Sequence, residues 1–76
     1  VFESHTVRDN LLLALAGLRS WYKLLLATPT RDENQRLDEI LSIIRMEAQQ
    51  HMLAARLSHG QKQWLEIGML LAQDPK

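Results

Sequence analysis

Apolar residues return at helical spacing through the first third of the chain. They occupy one helical face at the i, i+4, i+7, i+11 and i+14 positions, which are Leu11, Leu15, Leu18, Tyr22 and Leu25. Thr6 suits the N-cap of this helix because its hydroxyl can accept a backbone N–H of the first turn, where Asp9 complements the helix dipole. The pattern predicts a first helix from Thr6 to about Leu26 or Ala27.

A second amphipathic helix follows the break at Thr28-Pro29-Thr30. Thr30 and Glu33 have the spacing of a capping box, in which each side chain binds the backbone N–H of the other residue. The apolar face of this helix consists of Leu37, Ile40, Leu41 and Ile44. These positions predict a helix with one buried and one exposed side.

After this helix, apolar and polar residues follow a less regular spacing. A shorter helix from about Glu47 to Ala55 is predicted, with Met52 and Leu53 turned inward. Whether residues 45–47 form a turn or continue the second helix stays open. Glu47 and His51 lie four residues apart and could share a helical face, but two ligands do not make a metal site. We expect no metal to bind.

The last predicted helix, from about Gly60 to Gln73, is apolar around most of its circumference and ends at Asp74-Pro75. Its apolar residues are Trp64, Leu65, Ile67, Met69, Leu70, Leu71 and Ala72. A helix of this kind is normally buried on every side, and three other short helices cannot cover it. The sequence thus predicts an all-α fold of three to four helices with missing partner surface, so that the isolated chain self-associates, swaps domains or is molten.

Composition narrows the possible partners. The 76 residues carry nine basic and nine acidic side chains, so no excess of charge indicates a nucleic-acid partner. Cysteine is absent, which excludes disulfides and thiolate metal sites. The apolar run Leu11–Leu18 is interrupted by Arg19 and Lys23 before it reaches the ~20 residues of a membrane span. We expect any membrane association to occur through a partner.

The mouth of the last helix carries candidate chemistry. Ser58 and Gln61 have the spacing of a capping box, and Gly60 lacks a side chain that would keep a phosphate from the backbone. The first N–H groups of a helix have no partner inside it, and the helix dipole favours an anion there. On physical grounds alone, this pattern predicts only a well-capped helix.

A resemblance adds a function to this motif. Leu57–Gln63 resembles the signature motif Leu-Ser-Gly-Gly-Gln of ATP-binding-cassette (ABC) ATPases, with His59 in place of the first glycine. The continuation to Asp74-Pro75-Lys76 is similar to the signature helix, and Val1–Leu11 is similar to the segment after the Q-loop. The variant Ser-His-Gly-Gln most resembles the ATP-binding subunits of urea and branched-chain amino-acid importers.

The resemblance implies roles for four residues. Ser58 would donate its hydroxyl to the γ-phosphate of an ATP held by the opposing subunit, and Gly60 with the amide of Gln61 would offer N–H groups to the same oxygens. His59 would contact ribose or phosphate, or point to solvent; the family's switch histidine lies beyond this chain. The cofactor is ATP, with Mg in the parent protein, and we do not expect tight binding to this chain alone.

The family's other parts are missing. Residues 1–76 contain no phosphate loop (Walker A), no Walker B strand and no switch histidine, so the resemblance implies a helical subdomain without catalytic residues and without turnover of its own. The implied partners are a second ATPase subunit and transmembrane permease subunits, which would hold the parent at the cytoplasmic side of the inner membrane. Phe2 and Glu3 would lie at the groove for the permease, and Trp21 is a candidate interface ring. The solute cannot be assigned, because its choice belongs mainly to other subunits.

An alternative class remains. A free-standing helical interaction module would dimerise through its apolar last helix and would need no nucleotide. The sequence encoded on either side distinguishes the two, since the ABC interpretation requires a phosphate loop upstream and a Walker B strand downstream.

Overall fold

The computed structural model describes residues 1–16 and 31–73, and within them the fold is all-α. These two ranges contain three α-helices, which we label α1 (Val7–Ala16), α2 (Arg31–Ile44) and α3 (His59–Gln73). Two 3₁₀ turns, Glu47–Gln49 and Ala54–Arg56, connect α2 to α3. The described residues contain no strand, only an isolated antiparallel bridge between Thr6 and Leu53. The predicted fold class is confirmed.

Helix α1 begins where the sequence predicted. The N–H of Asp9 donates to Oγ1 of Thr6 at 3.1 Å, which confirms the N-cap. Leu11, the first residue of the predicted stripe, is fully buried. The rest of that stripe beyond Leu15, and Trp21, lie outside the described residues, as does the cap predicted at Thr30.

Helix α2 buries the predicted face, with Leu37, Ile40, Leu41 and Ile44 all at most 3% exposed. It then ends in a clear turn. Arg45 has a φ of 57°, the N–H of Met46 donates to the carbonyl of Leu41 at 3.0 Å, and the N–H of Arg45 donates to that of Ser42 at 3.3 Å. This pair of bonds is a Schellman motif. The alternative in which α2 continued through residues 45–47 is therefore wrong.

The predicted helix from Glu47 to Ala55 is also wrong. The segment forms the two 3₁₀ turns instead, and Met52 and Leu53 are 39% and 44% exposed rather than turned inward. The reason lies in tertiary hydrogen bonds, because four backbone bonds join residues 50–55 to residues 3–8, and only short i to i+3 bonds remain within the segment. Met46 and Ala54 are the buried residues here.

Helix α3 packs on α1 and α2 through a narrow face that includes Gly68. A methyl group at Gly68 would lie 2.9 Å from Cδ1 of Ile44 and 3.0 Å from Cδ2 of Leu11, so the glycine allows the three helices to approach closely. The opposite face stays exposed at Trp64, Ile67 and Leu70, with 53%, 44% and 68% of their surfaces accessible. Complete burial of α3 is thus not achieved by the described residues, as its composition predicted.

No helix among residues 1–16 and 31–73 is both long enough and apolar enough to cross a membrane.

Candidate anion-binding turn at the start of helix α3

Ser58 and Gln61 form the predicted capping box. The N–H of Ser58 donates to Oε1 of Gln61 at 2.9 Å, and the N–H of Gln61 donates to Oγ of Ser58 at 3.2 Å. The N–H of Lys62 donates to the carbonyl of Ser58 at 2.9 Å and closes the first helical turn. These reciprocal bonds fix how the chain enters α3.

The capping box leaves two backbone donors at the helix mouth. The N–H groups of His59 and Gly60 have no intrahelical acceptor and form no hydrogen bond within the described part of the chain. Ser58, His59 and Gly60 are all exposed, and no heavy atom lies within 4 Å of the place that a side chain on Gly60 would occupy. An anion can therefore reach these N–H groups, and the hydroxyl proton of Ser58 is free to turn toward it, because in the box that oxygen only accepts.

In the structure, the N–H of Gln61 has a different role from the one that the resemblance implies. It is already bonded to Ser58 Oγ, so it would reach a phosphate only if the capping bond opened or were shared. The donors that are free in this structure belong to the two preceding residues, of which sequence reasoning gave a backbone role only to Gly60. The residue type of His59 gives no signal for its backbone N–H, because every residue except proline has one.

Two further side chains lie around the turn. Nζ of Lys62 is 3.2 Å from Oε1 of Glu3, which joins the N-terminal segment to the first turn of α3. The imidazole Nε2 of His59 lies 3.4 Å from the amide nitrogen of Gln63, one helical turn later. Both contacts are exposed, so each contributes little to stability.

The residues predicted for a partner interface are only partly accounted for. Phe2 is 45% exposed and its ring meets His5 edge-on at a centroid distance of 6.2 Å. Glu3 lies against Lys62, close to the capping box. Trp21 lies outside the described residues.

The possible metal pair does not develop into a site. Glu47 and His51 are both exposed, and no group of three or more potential metal-ligating side chains occurs in the part of the chain that is described.

An open hollow adjoins the capping box. Its volume is about 460 Å³, and it lies between the end of α2 and the first turns of α3. It is lined by Ile43, Ile44, Arg45, Met46, Gln49, Gln61 and Trp64. Through Gln61, the hollow shares a residue with the candidate anion-binding turn, Ser58–Gln61.

Sequence reasoning missed two polar residues that organise this region. Arg8 donates to Asp38 at 2.9 Å, to Gln50 at 2.8 Å and to Asn34 at 2.9 Å, so one side chain joins α1, α2 and the connecting segment. Asn10 is fully buried and bonds the backbone of the N-terminal segment. A local signal existed only for Asn10, which directly precedes the apolar run Leu11–Leu13. The partners of Arg8 are 26 to 42 residues away in sequence, where no spacing rule applies.

Comparison with known proteins identifies relatives for almost the whole chain. The sulfate/thiosulfate import ATP-binding protein CysA of Nocardia farcinica is 33% identical over 75 residues, which are 99% of this chain and 20% of that protein. The methionine import ATP-binding protein MetN of Halalkalibacterium halodurans is 32% identical over 75 residues, covering 96% of this chain and 19% of that protein. The spermidine/putrescine import ATP-binding protein PotA of Thermotoga maritima is 46% identical over 43 residues, or 57% of this chain and 12% of the relative.

The chain spans about a fifth of the length of the first two of these relatives. No protein-family model matches it, and no solved structure matches it significantly. The solutes in the relatives' names differ from one another, and none of them is urea or a branched-chain amino acid. The similarity to ATP-binding subunits of import systems supports the ABC ATPase family for this chain.

Proposed function

We propose that this chain is the helical subdomain of an ABC transporter ATPase and provides the signature side of a composite ATP site. The observation that carries the proposal is the mouth of α3, where a complete capping box leaves the N–H groups of His59 and Gly60 free and accessible. The relatives support it, because each is named as an ATP-binding protein of an import system.

In this proposal the ligand of the turn is the γ-phosphate of ATP held by the phosphate loop of a second subunit. The residues fit such an anion, since Gly60 leaves the approach open and the hydroxyl of Ser58 can donate beside two free N–H groups. The dipole of α3 adds roughly 0.3–1 kcal/mol for an exposed anion, and these pre-aimed donors gain strength once closure excludes water. Hydrolysis removes the bridging phosphate and releases the turn.

The chain alone carries out no turnover in this scheme. Its residues bind and orient one end of the nucleotide, whereas the phosphate loop, the Mg ion and the attacking water belong to other parts of the parent protein. We therefore expect no ATPase activity from residues 1–76, and turnover by the purified chain would contradict the composite site.

The proposed partners follow from the same scheme. A second ATPase subunit would face the turn, and permease subunits would contact the N-terminal segment around Phe2 and Glu3, with Trp21 as a further interface residue. The parent would then be a peripheral protein at the cytoplasmic side of the inner membrane. The exposed ring of Phe2 leaves that side chain available for a partner, and the Glu3–Lys62 contact ties this segment to the first turn of α3.

The most specific part of the proposal is the identity of the transported solute. Urea or a branched-chain amino acid rests on the Ser-His-Gly-Gln variant alone, while the relatives are named for other solutes. Uptake of labelled solutes by cells that lack the parent gene tests this assignment. Loss of urea or leucine uptake is expected, and loss of sulfate, methionine or polyamine uptake alone would overturn it.

Substitution of Ser58 in the full-length protein tests the role of the turn. Ser58→Arg fills the mouth of α3 with a long side chain, so we expect hydrolysis to fall by about a hundredfold or more while ATP binding at the phosphate loop is retained. Ser42→Arg is the matched control, because Ser42 is also an exposed serine but lies on α2. Hydrolysis that survives Ser58→Arg would refute the phosphate role.

A second function, a self-associating helical module, is favoured by the exposed face of α3. Trp64, Ile67 and Leu70 are exposed apolar side chains at three-residue spacing, which a second copy could cover. Sedimentation of the chain and of an Ile67→Glu variant separates the two functions. A stable dimer that Ile67→Glu dissociates, in a protein without ATP binding, would favour the module over the ATPase.

A further inference from the structure

Asn10 is the one fully buried polar side chain among the described residues, and all its side-chain bonds go to one short segment. Its Oδ1 accepts the N–H of Phe2 at 2.7 Å. Its Nδ2 donates to the carbonyls of Phe2 at 3.0 Å and Thr6 at 2.9 Å, with a longer contact of 3.4 Å to that of His5. A buried amide is costly unless its donors and acceptors are satisfied, and here both sides of the amide are bonded.

The segment Phe2–Thr6, which Asn10 holds, is hydrogen-bonded to the residues that lead to the capping box. The carbonyl of His5 accepts the N–H of Ala54 at 2.9 Å, and the carbonyl of Glu3 accepts the N–H of Ala55 at 3.1 Å. These acceptors lie inside the loop that the Asn10 amide closes. Ala55 is three residues before Ser58, so the bonds end immediately before the anion-binding turn.

A second link joins the same segment to α3 itself. The carboxylate of Glu3 contacts Nζ of Lys62, in the first turn of that helix. As an exposed ion pair it contributes little to the free energy of unfolding, but it is a second contact, besides the backbone bonds, between this segment and the start of α3. The segment from Phe2 to Thr6 therefore touches the turn from both sides, before Ser58 and after Gln61.

We infer that Asn10 is a positioning residue for the anion-binding turn: by fixing the segment Phe2–Thr6, its side-chain amide sets where Ser58 and the free N–H groups of α3 stand. The nucleotide part of this inference rests on the proposed function, whereas the positional part does not. Asn10 touches no substrate in this account and acts only through the backbone that it holds.

The chemistry of the amide is specific. Aspartate has the same shape but no N–H₂ group, so Asn10→Asp would aim a carboxylate oxygen at the carbonyls of Phe2 and Thr6 and lose both donated bonds. Asn10→Ser is a milder change, because it shortens the side chain and replaces the amide with one uncharged hydroxyl. Ile40→Val is the matched control, since Ile40 is also fully buried but lies on α2 and its loss of one methyl group leaves segment 2–6 untouched.

Hydrogen exchange by mass spectrometry on the full-length protein tests the positional part. Asn10→Ser should speed exchange in a peptide covering residues 51–60 by roughly tenfold more than in a peptide covering residues 37–44. Ile40→Val lies within residues 37–44 and should speed exchange there at least as much as in residues 51–60. If Asn10→Asp fails to fold, Asn10→Ser decides the matter; equal acceleration of both peptides, or no change in residues 51–60, overturns the inference.

Steady-state hydrolysis tests the link to nucleotide. Asn10→Ser should lower kcat by about tenfold, leave ATP affinity at the phosphate loop unchanged, and contrast with Ile40→Val, which should keep its kcat. Local loosening of residues 51–60 with an unchanged kcat overturns the positioning role. Survival of hydrolysis in Ser58→Arg is a separate result that overturns the proposed function and leaves the exchange experiment valid.

Discussion

The two ends of the connection between α2 and α3 are capped in opposite ways. At the end of α2, the cap is made by backbone bonds around Arg45, whose φ of 57° is unfavourable for a residue with a side chain. At the start of α3, the cap is made by the side chains of Ser58 and Gln61. A side-chain cap can be identified from residue types at fixed spacing, whereas a backbone cap without glycine leaves no comparable signal in the sequence.

The caps also differ in what they leave accessible. In the Schellman turn that ends α2, the N–H of Met46 donates to the carbonyl of Leu41. The side chain of Met46 is buried, with only 2% of its surface exposed. The capping box pairs Ser58 with Gln61 but leaves the N–H groups of His59 and Gly60, which lie between them, without a hydrogen bond among the described residues. The first terminus is thus closed by burial, whereas the second leaves two backbone N–H groups accessible, as the proposed phosphate contact requires.

The largest effect is expected from truncating the residue that closes the α2 cap. Met46→Ala should lower the free energy of unfolding by about 2–5 kcal/mol, because it removes a buried side chain from the core. Met52→Ala is the matched control, since Met52 is 39% exposed, and should change stability by less than about 0.5 kcal/mol. Urea unfolding followed by circular dichroism measures both, and equal losses would show that the Schellman turn is not closed by burial.

A smaller loss is expected from the α3 cap. Ser58→Ala removes the acceptor of the Gln61 N–H and should cost about 1 kcal/mol of the free energy of unfolding. Ser42→Ala is the matched control, because Ser42 is exposed on α2. Alanine has a higher helix propensity than serine, so this substitution should leave the free energy of unfolding unchanged or raise it by a few tenths of a kcal/mol. The same unfolding experiment measures both. A neutral Ser58→Ala would mean that the capping box does not fix the turn.

The smallest effect is expected at Arg45, and its sign is the opposite. Arg45→Gly relieves a left-handed conformation that costs roughly 1–2 kcal/mol, while glycine loses about 0.4–1 kcal/mol through the greater entropy of the unfolded chain. The balance is a gain between about zero and about 1.6 kcal/mol, centred on about 0.8 kcal/mol. Arg45→Ala keeps the Cβ and should give no such gain, so equal stability of the glycine and alanine variants would contradict the assignment of strain.

The sequence predicted those features whose causes are local. The caps at Thr6 and Ser58 and the buried face of α2 follow from residue types three or four positions apart, and the structure confirms them. The exposed apolar face of α3 was also predicted, from composition alone.

The errors share one physical origin. The helix expected from Glu47 to Ala55 does not form because four backbone bonds of residues 50–55 go to residues 3–8, far away in sequence. Contacts of this kind, including those of Arg8 and Asn10, depend on how elements pack, and periodicity within one segment cannot predict them. The role of the turn at Ser58 came from the resemblance, since a capping box by itself predicts only a cap.

The central claim is that the turn at Ser58 acts on a nucleotide bound by another subunit. Mixing two inactive forms of the full-length protein tests this most directly: one form carries Ser58→Arg, and the other carries a substitution of the phosphate-loop lysine. A mixed dimer contains one site with both lesions and one site with neither, so our account predicts that mixing restores hydrolysis. If the mixture stays as inactive as its parents although mixed dimers form, Ser58 does not act across the subunit interface and the account is contradicted.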